Sequence, residues 1–183
     1  MEQLNINSIL NRELKEKQIC DILNTFEKEK NNLQTKRGIY IYGSPGSGKT
    51  WFVRKILEKL NYDIIFFDAG DFRNKNIIDT ITKHNMSDKN ILSLFNKKKK
   101  KLIIVMDEID GMNSGDKGGI NALIKLIRPK KTKKQKKEDI AMIPIICIGN
   151  YHIDKKIKEM MKVCVSIELK KPDSLQVKNI IEL

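Results

Sequence analysis

The sequence predicts a three-layer α/β fold in which helices cover both faces of a parallel sheet, and three observations carry that prediction. Five short apolar runs, at residues 38–42, 62–67, 102–106, 142–148 and 163–169, have the length and β-branched content of buried strands. Helix-period or polar segments separate them, as a parallel sheet requires, because parallel strands are joined by crossovers rather than by tight turns. The first run passes through a glycine-rich loop into a segment where Val53, Ile56, Leu57 and Leu60 recur at helical spacing. At 183 residues and 40% hydrophobic composition, the chain suits one domain with a sizeable core.

The loop between that strand and helix reads GSPGSGKT at residues 43–50, which fits a phosphate-binding pattern of Gly, four residues, Gly, Lys and Ser or Thr. Gly43, Ser44, Pro45, Gly46, Ser47 and Gly48 can fold their backbone so that successive N–H groups point into one concavity, where an anion replaces water. Lys49 then brings a cation to the β and γ phosphates of ATP, and Thr50 offers its hydroxyl to Mg²⁺. The helix that follows presents its N-terminus to the same anion. A ligand-free turn could use the same residue types, but eight positions and both flanks would have to agree by accident.

Taken in order, residues 11–30 read as a helix with Ile19, Ile22, Leu23 and Phe26 on one face, and residues 31–37 as a polar approach to the first strand. After the second strand come Asp68 to Arg73 and two helical segments, at about residues 76–84 and 87–95, the latter with Ser87 and Asp88 as caps. Five lysines at 97–101 read as a solvated loop before the third strand. That strand ends in Asp107-Glu108, an acidic pair suited to ATP chemistry. Asp107 would hold the Mg²⁺ shell, and Glu108 would act as general base on the attacking water. Residues 111–119 read as a mobile glycine-rich connection, and Ile120, Leu123, Ile124 and Ile127 as a helix stopped by Pro129. The basic run at 130–137 reads as a solvated, low-complexity insertion. The fourth strand delivers Asn150 to the edge of the sheet that also carries the loop, so its amide can orient the lytic water. Pro172-Asp173-Ser174 opens a last helix.

The formal net charge is +13, which favours polyanions such as DNA through a sequence-independent, salt-sensitive attraction. Its source tempers that reading. The chain has 31 Lys and only 5 Arg, alongside 29 Ile and 16 Asn, residue types shared with A/T-rich coding. Cys20, Cys147 and Cys164 are far apart, so core packing in a reducing compartment is expected rather than a disulfide or zinc site. His84 and His152 have no ligand-spaced companions. The longest apolar stretch, residues 140–149, is about half of the ~20 residues a membrane helix needs, and a soluble, intracellular protein with no membrane partner is expected.

Four stretches together make the chain resemble the AAA+ ATPases and, within them, the large subunit of the replication factor C clamp loader. They are GSPGSGKT at 43–50, DAGDFRNK at 68–75, MDEIDGM at 106–112 with GGI at 118–120, and IPIICIGN at 143–150. The likeness spans roughly residues 38–181. It implies a P-loop core at 38–171, a helical lead-in at 1–37, and the start of an incomplete helical lid at 172–183. It also implies a five-subunit spiral that spends ATP to open a ring-shaped sliding clamp on DNA, in the nucleus or at a cytoplasmic replication site. By resemblance Lys49 and Thr50 bind the phosphates and Mg²⁺, Asp107 and Glu108 form the Walker B pair, and Asn150 senses the γ-phosphate. The small subunits of that family carry Ser-Arg-Cys before the last strand, and here residues 160–164 read MMKVC, without the arginine. The resemblance therefore implies that other clamp-loader-like subunits supply an arginine in trans. Two other classes stay open on the residues alone: a small P-loop nucleotide kinase, for which five arginines are few, and a scaffold that binds ATP without hydrolysing it.

Overall fold

In a computed structural model, residues 6–29, 32–68, 101–114, 119–136, 143–150 and 155–182 are described. The helices read at 76–84 and 87–95, most of the 68–75 stretch, the lysines 97–100, His84 and His152 lie outside them.

Five strands form one parallel sheet: β1 (Gly38–Tyr42), β2 (Tyr62–Phe67), β3 (Lys101–Met106), β4 (Ile145–Gly149) and β5 (Cys164–Glu168). The spatial order is β2-β3-β4-β1-β5. Strand β1 lies between β4 and β5, with Tyr42 opposite Gly149 on one side and Glu168 on the other. Because every pairing is parallel, the carboxyl ends of β1, β3 and β4 open onto one edge of the sheet.

Alternation along the strands sorts the core into two faces. Ile39, Ile41, Ile103, Val105, Ile146, Ile148 and Ile167 point one way, against α2 (Glu13–Lys28) and α3 (Lys49–Lys59). Tyr40, Ile104, Met106, Ile145, Cys147 and Cys164 point the other way, against α4 (Gly119–Ile127) and α6 (Lys155–Val163). This is the predicted three-layer arrangement. In α2 the buried residues Ile19, Leu23 and Phe26 are spaced four and three apart, one helical stripe on the sheet. Each such side chain contributes about 1.5–3 kcal/mol through burial. A short α1 (Ile6–Ile9) precedes α2, α5 (Lys133–Lys136) follows α4, and α7 (Ser174–Ile181) begins with a capping box between Asp173 and Gln176.

Local readings change at several points, beginning with residues 6–9, left without an element and found as α1, and Lys101, read in a loop and found to open β3. No element was expected at residues 155–162, and Val163 was read as the start of the last strand, yet α6 forms over Lys155–Val163, its inner face made by Ile157 and Met160 three residues apart. Nine residues that include four lysines carry too short an apolar pattern to stand out in the sequence. Residues 111–114, read as part of a mobile connection, belong to a 3-10 helix over Ile109–Ser114 anchored by the fully buried Ile109. Lys130, read as solvated, is 1% exposed. Its ammonium donates to the Lys125 carbonyl at 3.0 Å near the end of α4, where helix carbonyls favour a cation, and its backbone N–H donates to Leu33 at 2.9 Å. Lys131, Thr132, Lys133 and Lys134 are exposed as expected.

Candidate functional site

The loop after β1 folds as its glycines allow. Gly46 and Gly48 take φ values of 75° and 74°, in the left-handed region where a side chain is strained. Gly43 answers a different demand: a Cβ there would lie 2.1 Å from the Leu169 carbonyl oxygen, because Leu169 N–H bonds Tyr42 and draws the chain after β5 against the loop. Backbone cannot yield as a side-chain tip can. Gly43→Ala is therefore expected to destabilise the fold by about 1–3 kcal/mol, the usual cost of overpacking. Urea unfolding is the check, and an unchanged midpoint would contradict the packing account.

From the first turn of α3, Lys49 and Thr50 reach back over the sheet edge. Lys49 is 8% exposed, and its ammonium donates to the carbonyls of Gly43 and Ser44, both at 3.0 Å, and to Asn150 Oδ1 at 3.2 Å. Burial lowers its pKa, while Asp107 and Asp110 act in the opposite direction. Thr50 donates its hydroxyl to Asp107 Oδ2 at 2.6 Å, and the other carboxylate oxygen accepts the Glu108 N–H at 2.9 Å. Strand order explains the meeting: β4 lies between β3 and β1, so Asn150 stands between Asp107 and the loop.

Glu108 holds φ at 52°, a left-handed value that costs free energy for a residue with a side chain and that clusters at functional sites. Its side chain is exposed at the rim of a cleft of about 420 Å³ that also borders Lys49, Thr50, Asp107 and Asn150. The chemistry of this cleft fits a magnesium nucleotide. Glycines at positive φ shape a cradle, Lys49 supplies one buried cation, and a hydroxyl paired with a carboxylate offers the hard oxygen donors Mg²⁺ takes.

Three participants were not read from the sequence. Asp110 accepts both the backbone and the side-chain N–H of Asn150, at 3.0 and 2.8 Å. Arg12, 3% exposed, donates to the carbonyls of Ser47 at 2.6 Å and Lys170 at 3.2 Å, tying the start of α2 to the loop. Burial lowers its pKa. Trp51, the one tryptophan in the sequence, lines the cleft and is 40% exposed. Asp110 had a legible signal, a third acid two residues beyond the Asp-Glu pair; Arg12 had none, since its acceptors are backbone atoms distant in sequence.

Sheet order and loop together define a P-loop α/β fold. Residues 39–171 match the family described as ATPase family associated with various cellular activities (AAA). The chain belongs to that family of ATPases. Among curated proteins it is similar to replication factor C subunit 1 of Saccharomyces cerevisiae, 30% identical over 150 residues, 78% of this chain and 16% of that protein. The Arabidopsis thaliana protein of the same name is 30% identical over 160 residues, 81% of this chain and 16% of its own length. The replication factor C large subunit of Nanoarchaeum equitans is 29% identical over 147 residues, 80% of this chain and 30% of that protein. The chain thus spans less than a third of each of these three relatives. Among the described residues, no helix is long and apolar enough to cross a membrane.

Proposed function

We propose that this chain binds MgATP in the cleft, hydrolyses it, and works as a clamp-loader-like subunit in DNA replication, alongside other AAA+ subunits, a sliding clamp and DNA. The observation that carries the reading is a pair of hydrogen bonds, Lys49 to Asn150 and Thr50 to Asp107, which bring a cation, an amide, a hydroxyl and a carboxylate to the border of one cleft. The replication factor C relatives supply the biological setting.

In this reading the loop amides and Lys49 would bind the phosphates, and Thr50 and Asp107 would hold the Mg²⁺, whose charge would offset theirs. Glu108 accepts a proton from water at the rim, and Asn150 positions groups at the terminal phosphate. Local cations are then too few. Among the described residues, none that lines the cleft is an arginine; Arg12 is committed to backbone carbonyls, and Arg54 lies over the Phe66 ring at 4.3 Å. An arginine supplied by a neighbour is worth ~10³ to 10⁵ in rate.

The isolated chain is accordingly expected to bind MgATP but turn it over very slowly, with brisk turnover only after a partner subunit docks. Steady-state phosphate release, measured across chain concentrations and then with partners carrying an intact or an alanine-substituted arginine, is the test. Fast, concentration-independent hydrolysis by the lone chain would overturn the reading, as would stimulation that survives loss of the partner's arginine.

A further inference from the structure

We propose that Asp110 is a positioning residue for hydrolysis: its carboxylate decides which atom of the Asn150 amide faces the nucleotide. The inference rests on the reading of Asn150 as the group that meets the terminal phosphate, and it adds a residue which that reading does not use.

A side-chain amide can turn over at almost no cost to its shape, so something must choose between its oxygen and its nitrogen. Here both neighbours choose. On one side, Asp110 Oδ2 takes a hydrogen bond from Asn150 Nδ2 at 2.8 Å, and a carboxylate only accepts. On the other, the Lys49 ammonium donates to Asn150 Oδ1 at 3.2 Å, and an ammonium only donates. The second Asp110 oxygen takes the Asn150 backbone N–H at 3.0 Å, so the clamp fixes main chain and side chain together. Lys49 is the neighbour that phosphates would draw away. Asp110 is the one that stays, and with it the orientation of the amide.

The surrounding chain is built to bring that carboxylate in. Glu108 at φ 52° turns the chain directly after β3, and the fully buried Ile109 pins the start of the 3-10 helix that carries Asp110. Opposite, Gly149 leaves the space empty: a Cβ there would sit 3.1 Å from Asp110 Oδ1 and 2.7 Å from the Tyr40 hydroxyl oxygen. Glycine before Asn150 thus spares the Tyr40 hydroxyl and the Asp110 carboxylate from having to shift.

The discriminating substitution is Asp110→Asn, which keeps the size but offers one acceptor and one donor. If its oxygen keeps the Asn150 backbone N–H, its nitrogen faces the Asn150 side chain, which then turns its own nitrogen toward the Lys49 ammonium. Three readouts on the full chain test this. The Asn150 side-chain amide resonance of the nucleotide-free protein, assigned by its loss in Asn150→Ser, is expected to move. MgATP affinity, followed through Trp51 fluorescence, is expected to change far less than turnover. Turnover with partner subunits is expected to fall about 10- to 10²-fold, the scale of a misplaced reacting group.

An unmoved amide resonance, wild-type turnover, or affinity lost in parallel with turnover would each overturn the proposal. Asp110→Ser, which leaves a gap instead of a mismatched amide, serves the same three measurements if the first variant does not fold. Should the wild-type chain bind no ATP, the functional reading fails by itself, while the amide resonance still tests the clamp.

Discussion

Lys49→Ala is expected to weaken MgATP binding by about 10²-fold or more, since hydrogen bonds to charged groups contribute about 1.5–3 kcal/mol each and Lys49 offers the phosphates more than one donor. Among the described residues lining the cleft Lys49 is the one cation, and nearby Arg12 is held by the Ser47 and Lys170 carbonyls. The effect should carry a pH signature. Burial lowers the Lys49 pKa in the free site, and a bound triphosphate raises it, so affinity is full below the lowered value and declines as pH rises through it. Alanine removes that alkaline decline along with the affinity. Equilibrium titrations of both proteins across pH provide the check, and equal affinity at neutral pH would remove the phosphate-loop role of Lys49.

Glu108→Gln should do the opposite: keep ATP bound and slow its hydrolysis by about 10²- to 10⁴-fold, the range a positioned general base supplies. Glutamine matches the shape and inherits the same backbone turn, so the strain at φ 52° is unchanged and the fold should not suffer. Single-turnover quench measurements with partner subunits present separate the two steps. A normal hydrolysis rate would mean that the base lies elsewhere.

Much of this was legible in the sequence wherever a single local pattern carries it. The glycine loop announces itself by spacing, β1 by its length and β-prone content, α3 by its period, and Asp107 and Asn150 by ending apolar runs. The sheet order is a different matter. Nothing local says that β4 slots between β3 and β1, and that placement is what brings Asn150 within reach of Lys49 and Asp110. Lys130 misled for a related reason: a lysine in a basic run looks solvated until the end of α4 and Leu33 are seen to enclose it. Arg12 could not be read at all, because both of its acceptors are carbonyls contributed by distant parts of the chain.

Calorimetric titration of the chain with ATP, in the presence of Mg²⁺ and again with the metal chelated, tests the central claim most directly. The account predicts one saturable site that Mg²⁺ tightens, with Trp51 fluorescence changing at the same concentrations and the signal weakened in Lys49→Ala. No binding at millimolar MgATP, or binding indifferent to both the metal and Lys49, would contradict it.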